Sequence, residues 1–376
     1  MKPTGLLLPS ALPRPPALRL LRSGLLEALA TPHGAERYLE LVRPAWSPRD
    51  PRAEIVEVRH QSAGSVTLTL RPNARWHGFR AGQHVRLTVE IAGVRETRCY
   101  SPACGERADG QIELMVKAHP HGKVSRYLNE HARPGMLVWC SEPEGEFVLA
   151  RQRPERLLLI SGGSGITPVM SLLRTLCDEG HPGHVTFLHY ARSTRHIPYR
   201  DELERIAGST PNVRLALVGT REAGTLKGHL NRRQMRCLAP DYARAHTYVC
   251  GPPSLIAAAR ALWVKDGIEQ PFWVESFRPP SFALGGDGIP AHPQGSVYFA
   301  RSHKRAASDG RCLLEQAEQA GLRPPFGCRM GICRMCTARK TAGSVRNVLS
   351  GEISSGADED IQICVSVPVG DVELTV

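Results

Sequence analysis

Residues 157–173, LLLISGGSGITPVMSLL, read as two elements hinged on glycine. Leu157 to Ile160 form a short apolar run with the length and character of a fully buried strand. Gly162, Gly163 and Gly165 mark a turn, and Pro168 follows at the start of a helical run, where its missing N–H is not needed. A Gly-rich turn before a helix is common, and this one lacks the G-x-G-x-x-G spacing. Its neighbours decide what it belongs to.

Downstream, HVTFLHYAR (184–192), VRLALVGT (213–220), HTYVCGPP (246–253) and PFWVESF (271–277) read as strands. Between them lie the helical stretches TPVMSLLRTLCDEG, YRDELERIAG and SLIAAARALWVKDG. Strands separated by helices predict a doubly wound parallel α/β domain over 151–277. Upstream the pattern is different. AEIVEVRH, SVTLTLRP, QHVRLTVEIAG, RETRCYSPAC and QIELMVKAH are short, partly alternating runs punctuated by Gly and Pro. They predict an antiparallel β-barrel or sandwich over 51–150, broken only by the short helix VSRYLNEHARPG. Residues 278–294 are loaded with Gly and Pro and read as a linker. A small domain over 295–376 mixes the strand SVYFARS, the helix CLLEQAEQAG and a late β-rich run. Residues 1–50 form an extension whose Leu18, Leu21, Leu25 and Leu26 have helical spacing, predicting one amphipathic helix against the body or a membrane surface.

The 376 residues are 41% hydrophobic and 22% charged, ordinary soluble usage. No apolar run reaches the roughly 18–20 residues of a membrane span. The early apolar patches are interrupted by Pro9, Pro13, Pro15 and Pro16 without a cleavage site, so a cytoplasmic protein is expected. Net charge is +12, and residue 294 onward holds ten Lys/Arg against nine Asp/Glu, so the surplus lies in residues 1–293. Those cations are dispersed, with no basic run and no aromatic platform, which argues against nucleic acid and leaves phosphate-bearing ligands or an anionic membrane.

Seven of the 11 cysteines are scattered: Cys99, Cys104, Cys140, Cys177, Cys237, Cys250 and Cys312. The other four are not. PFGCRMGICRMC (325–336) places Cys328, Cys333 and Cys336 in one turn-rich segment, and Cys364 follows in DIQICVSVP. The pattern C-x4-C-x2-C…C is the spacing of a [2Fe–2S] centre, with Gly327 and Gly331 letting the loop curl around the inorganic core. Zinc is the alternative, but structural zinc takes its thiols in C-x2–4-C pairs on two knuckles, whereas three crowd one loop here.

These residues, in GLRPPFGCRMGICRMCTARKTAGSV and QICVS, resemble the plant-type ferredoxin domain, which implies an α+β, β-grasp-like fold. A second resemblance covers residues 98 to 277. RCYS (Arg98, Cys99, Tyr100, Ser101) is similar to the R-x-Y-S motif of the ferredoxin–NADP⁺ reductase family. HGKVSRYL resembles that family's G-x-V-S-x-x-L helix start, here Gly122, Lys123, Val124 and Ser125. EPEGEF resembles its G-P-x-G-x-F ending, with Gly145 and Phe147 matching and Glu142 standing where glycine is usual. GGSGITP (Gly162, Gly163, Gly165, Ile166, Thr167, Pro168), YVCGPPSLI (Cys250, Gly251, Pro252) and VESF (Glu275, Phe277) resemble its nucleotide loop, C-G-P element and closing strand.

The resemblance implies FAD, with Arg98 on its pyrophosphate, Tyr100 stacked on the ring and Ser101 beside the flavin N5. It places Cys250 and Glu275 beside the nicotinamide, with Phe277 shielding the flavin. Thr220 and Arg221 fall where NADPH-selective members carry a hydroxyl and an arginine for the 2′-phosphate. Arg192, Arg195, Tyr199 and Lys227 can add charge or stacking, and NADH is the alternative donor. A nicotinamide gives two electrons as hydride and an iron–sulfur centre takes one at a time, so FAD belongs between them. The order FAD, nucleotide, ferredoxin resembles reductases of aromatic-ring, steroid and diiron hydroxylases. RPAWSPRDPRAEIVEVRH and RWHGFRAGQHVRLTVEIAGVRETRCYSP look closer to a bacterial subgroup serving membrane fatty-acyl desaturases, so a desaturase is the expected acceptor and an oxygenase the alternative. Two other classes stay open: an iron–sulfur redox sensor or carrier, and a zinc-stabilised interaction protein.

Overall fold

A computed structural model describes residues 51–376 apart from 62–63, 74–75, 107–108, 121, 222–227, 278–294, 328–330, 332–333 and 349–350. The N-terminal extension, the 278–294 linker, Lys227, Cys328 and Cys333 lie outside the described residues.

The first part is built from β1 (Arg52–Gln61), β2 (Ser65–Pro72), β3 (Val85–Ile91), β4 (Val94–Tyr100), β5 (Ile112–Lys117), α1 (Lys123–His131) and β6 (Leu137–Cys140). The sheet is antiparallel in the order β4-β3-β6-β1-β2-β5, and a bridge between Pro102 and Leu114 brings its two edges together. Alternation puts Ile55, Leu68, Leu70, Leu87, Val89, Ile112 and Leu114 inside, where Val124 and Leu128 of α1 plug the core.

The second part alternates as read: β7 (Arg156–Gly162), α2 (Ile166–Asp178), β8 (His184–Ala191), α3 (Arg200–Ser209), β9 (Val213–Gly219), α4 (Arg232–Leu238), β10 (His246–Cys250), α5 (Pro253–Asp266) and β11 (Phe272–Glu275). All ladders are parallel, in the order β11-β10-β7-β8-β9. Leu157 and Leu159 enter the core shared with α2 and the barrel, while Leu158 and Ile160 enter the opposite core with α4 and α5. That explains the unbroken apolar run: both faces of β7 are covered. The sequence reading passes over α4, whose start is capped by Asn231 accepting from the Gln234 N–H at 2.9 Å and whose inner face is only Met235 and Leu238.

The third part holds β12 (Ser296–Phe299), β13 (Lys304–Ala307), α6 (Leu313–Gln319), β14 (Thr337–Asn347), β15 (Ile353–Ser354), β16 (Glu359–Gln362) and β17 (Ser366–Leu374). The order is β13-β12-β17-β14-β15, with β12 and β17 parallel and β16 added beside β14. Lys340 is fully buried in β14. Its ammonium donates to the carbonyls of Gly343 (3.0 Å), Ser354 (3.3 Å) and Gly356 and pairs with Glu359 at 3.2 Å.

Barrel and α/β part meet along α2. Arg174 donates to the Ala103 carbonyl and to Glu113 on β5, each at 2.8 Å, and grips both carboxylate oxygens of Glu202 on α3 at 2.6 and 2.8 Å. Glu113, nearly sealed from water, also accepts from Arg59 on β1. Ser171 donates to the Cys104 carbonyl at 2.6 Å, and the Tyr248 hydroxyl, which donates to the Val148 carbonyl, accepts from the Ala150 N–H.

Two expectations follow. Arg174→Met leaves Glu113 short of a partner in the junction and should cost about 3 kcal/mol in the first urea transition, with Glu113→Gln on that background restoring part of it. His189, wholly buried in β8 with Nδ1 2.8 Å from the Ser161 hydroxyl, has its pKa pushed down by burial to about 3. The unfolded chain therefore binds a proton between about pH 6.5 and pH 3 that the folded one does not. Stability should fall by up to about 1.4 kcal/mol per pH unit as pH drops through that window, and thermal melts of His189→Gln should show a flatter decline.

Candidate functional site

The strand order reverses between β7 and β10, so a crevice opens past their carboxyl ends, the usual ligand position in an open parallel sheet. Ser161 stands beside Cys250 in register, and Cys250 beside Glu275. The glycines there permit contacts that no side chain would. A Cβ on Gly165 would lie 2.4 Å from the Cys250 carbonyl oxygen, and one on Gly162 within 3 Å of Pro252 and Leu255. Gly163 takes a positive φ of 56° with open space where a Cβ would stand. Ile166, Thr167 and Pro168 turn inward and are buried, Thr167 bonding the Ser164 carbonyl at 3.3 Å, so they offer a ligand backbone rather than side chains. Gly251 packs on Gly162, and Pro252 is exposed at the mouth.

On the barrel side, β4 carries the R-x-Y-S residues. Tyr100 is half-buried against the barrel core, and desolvation holds its phenol protonated well above the usual range. Ser101 is 2% exposed and its hydroxyl has no hydrogen-bond partner among the described residues. A buried hydroxyl left unpaired in a cleft is a group waiting for a ligand atom. Arg98 and Lys123 both lean on Glu96, at 3.7 and 2.8 Å, which gathers two cations at the start of α1. That helix begins at Gly122 with no side-chain cap and no acid in its first turn. A Cβ on Gly122 would fall 2.3 Å from the Ser125 hydroxyl. Uncapped N–H groups, two cations and a close backbone approach suit a pyrophosphate. The side chain of Val124 goes to the barrel core instead, and Cys99 is half-buried beside Arg86 in the ladder.

Cys250 and Glu275 are buried at the ends of their strands. Burial, and then the Glu275 charge, push the Cys250 thiol well up, so it stays neutral. Burial pushes the Glu275 carboxyl up, opposed by His84. His84, at the start of β3, lies 3.7 Å from Glu275 and is equally buried. Sequence reading missed it, since a histidine in an alternating strand carries no signal of its own. Gly145, matched to the family's pattern, stands against that imidazole with φ 114°. Glu142, standing where the family's pattern has glycine, is not among the described positive-φ positions. Phe277 packs on the core at the end of the described segment.

Thr220 and Arg221 close β9, their N–H groups donating to the carbonyls of Ala191 and Arg192 at 2.7 and 3.2 Å, with the Arg221 side chain exposed. Arg192 and Arg195 are exposed nearby. Tyr199 is not with them. It lies under Arg174, whose guanidinium is 4.9 Å from its ring, at the junction with the barrel. In the third part, Cys336 and Cys364 are both buried, and the Gly331 N–H points at the Cys364 sulfur at 3.3 Å. Gly331 reaches this with φ 72°. The pairing Thr337–Gln362 brings both thiols to one end of the β14–β16 ladder. A buried thiol receiving a backbone N–H fits an iron–sulfur ligand.

The chain matches three family models: an oxidoreductase FAD-binding domain over 53–149, an oxidoreductase NAD-binding domain over 159–261 and a 2Fe-2S iron-sulfur cluster binding domain over 299–369. It is 33% identical to an NADPH oxidoreductase of Mycobacterium tuberculosis over 93% of this chain and 90% of that one. It is 31% identical to a glycine betaine monooxygenase reductase subunit of Pseudomonas aeruginosa over 78% of this chain and 86% of the relative. Its fold resembles that of phthalate dioxygenase reductase, a structure described as modular for electron transfer from pyridine nucleotides to [2Fe-2S], with TM-score 0.55, 21% identity and 86% and 97% of the two chains covered.

Cys364→Ser should drop iron content to near background while FAD content and NADPH-driven reduction of a flavin-level dye survive; simultaneous loss of flavin and iron would contradict separable modules.

Proposed function

Since the chain belongs to the NAD(P)H oxidoreductases of the ferredoxin-reductase type that carry FAD-binding, NAD-binding and 2Fe-2S domains on one polypeptide, we propose that it draws electrons from NADPH and hands them singly to an oxygenase component. The observation that carries this reading is the crevice between β7 and β10, where the Gly162–Gly165 turn, Cys250 and Glu275 share one cleft end. The acceptor follows the glycine betaine monooxygenase reductase subunit. The desaturase suggested by the N-terminal stretch has no comparable support, and no described helix is long and apolar enough to cross a membrane.

FAD, when bound, takes hydride from the nicotinamide and releases electrons one at a time. The side chains prepare for that exchange. Arg98, Lys123 and the α1 N-terminus would hold the flavin's pyrophosphate, and Tyr100 would offer a ring face for stacking. Ser101 would offer its buried hydroxyl to the flavin. Backbone N–H groups of the Gly162–Gly165 turn take the nucleotide's pyrophosphate. Cys250, kept neutral, would face a bound nicotinamide without adding charge, and Phe277 would shield the flavin. Cys336 and Cys364, with Cys328 and Cys333 from the motif, would hold a [2Fe–2S] cluster, which supplies one-electron chemistry.

The exposed Arg221 and Thr220 select NADPH through the 2′-phosphate. Arg221→Ala should raise the KM for NADPH about tenfold or more, the worth of one charge-assisted bond, and leave that for NADH nearly unchanged; equal effects would remove the contact. An anaerobic absorption spectrum with and without NADPH tests the cofactor set, with bleaching of flavin and iron–sulfur bands expected. Turnover should be faster with a soluble Rieske oxygenase than with desaturase-bearing membranes, and the reverse order would overturn the acceptor assignment.

A further inference from the structure

Five of the 11 cysteines fall in the third part, one more than a [2Fe–2S] centre takes. The fifth is Cys312, which stands buried at the start of α6. Its carbonyl accepts the Gln316 N–H at 3.1 Å, but its thiol makes no cap bond to the helix. Serine, threonine or aspartate would cap that end far better, so capping does not account for the sulfur. Two backbone bonds show what lies beside it. The Leu314 N–H donates to the Ile363 carbonyl at 2.9 Å, and the Ile363 N–H donates to the Cys336 carbonyl at 3.2 Å. The start of α6, the residue before Cys364, and Cys336 are thereby stitched side by side. Burial, then the charges of Glu315 and Cys336, push the Cys312 thiol up to about 12, so the Cys336 sulfur is near enough to act on it. Cys364 is engaged elsewhere, receiving the Gly331 N–H. Cys312 and Cys336 are both reduced, and Cys336 lies just under the surface, next to the exposed Met335.

We propose that Cys312 is a resolving thiol, which closes a disulfide with Cys336 when a peroxide strips the pocket of its metal. Hydrogen peroxide passes one oxygen to the Cys336 sulfur, making a sulfenic acid, and its other oxygen leaves as water. The Cys312 sulfur then bonds to the Cys336 sulfur, and the sulfenic hydroxyl departs with the Cys312 proton as a second water. The two thiols give up two electrons in all, and the peroxide takes them. A sulfenic acid left without a thiol partner goes on to sulfinic and sulfonic acids, from which a dithiol cannot recover it. The disulfide instead keeps Cys336 one reduction away from ligation. It also withdraws one of the four ligands, so the oxidised pocket refuses iron until a dithiol opens it. The inference rests on the reading of Cys328, Cys333, Cys336 and Cys364 as a cluster site.

The test treats the holoprotein with hydrogen peroxide until its iron is released, blocks the remaining thiols, and digests the unreduced chain with trypsin and a glutamate-specific protease. That digest places Cys312, Cys328, Cys333 and Cys336 on separate fragments. Mass spectrometry should find residues 312–315 joined to residues 335–339 in more than about half of the chains. Iron and sulfide supplied without oxygen should then refill the site only after a dithiol is added. Cys312→Ser, whose hydroxyl suits a helix start, should hold as much iron as the parent before treatment. After peroxide it should carry Cys336 as sulfinic or sulfonic acid and regain less than about half of its iron even with dithiol. Cys336 joined to a different cysteine, refilling that needs no dithiol, or a Cys336 that survives equally well in Cys312→Ser overturns the pairing. A freshly isolated chain without iron overturns the cluster reading instead.

Discussion

The geometry of the crevice depends on one guanidinium. Arg174 binds a barrel carbonyl, a barrel carboxylate and a carboxylate on α3 from a single side chain on α2. The planar fork of arginine suits this, since it reaches several acceptors in fixed directions and keeps its charge when partly desolvated. The two charges of Glu113 and Glu202 would be poorly placed without it. What this fixes is the mutual position of β4, which Ser101 follows, and of β10 and β11, which carry Cys250 and Glu275. Hydride transfer tolerates little error in such an arrangement. The ion-pair cluster contains no motif residue, yet it ties together the elements that carry them.

Around that junction the chain solves a second problem with absences of side chain. The turn after β7 must approach the end of β10 closely enough for a nucleotide to lie over both, and only glycine at 165 avoids the Cys250 carbonyl. Gly145 does the same for His84, and Gly122 for the start of α1. Each of these positions places a polar group at a cleft wall while the bulk of the neighbouring residues goes into a core. The result is a polar seam between two apolar bodies.

Much of this was legible in the sequence, for physical reasons. The unbroken run Leu157 to Ile160 signalled burial on both faces, and alternating strands before residue 150 signalled a one-sided core. Glycine spacings and the four late cysteines survive in any reading because backbone approach and metal ligation demand particular residue types. Other features were not legible. Arg174 and Glu113 look like ordinary surface charges until the fold brings α2 against β5. Tyr199 seemed suited to a nucleotide and lies instead beneath Arg174, because the left-handed turn at φ 60° carries it toward the barrel. His84 sits in an apolar strand pattern and acquires its meaning only from a strand about 190 residues later. Spacing predicts what the backbone does locally; charge pairing across domains follows from topology.

Lys340 has a consequence for how the last domain is made. Its ammonium ties together three carbonyls and a carboxylate by bonds in which no iron takes part. The sheet is thus fastened a few rungs from Cys336 before any inorganic sulfide arrives. These contacts lend the sheet a brace of its own, independent of whatever the cysteines bind.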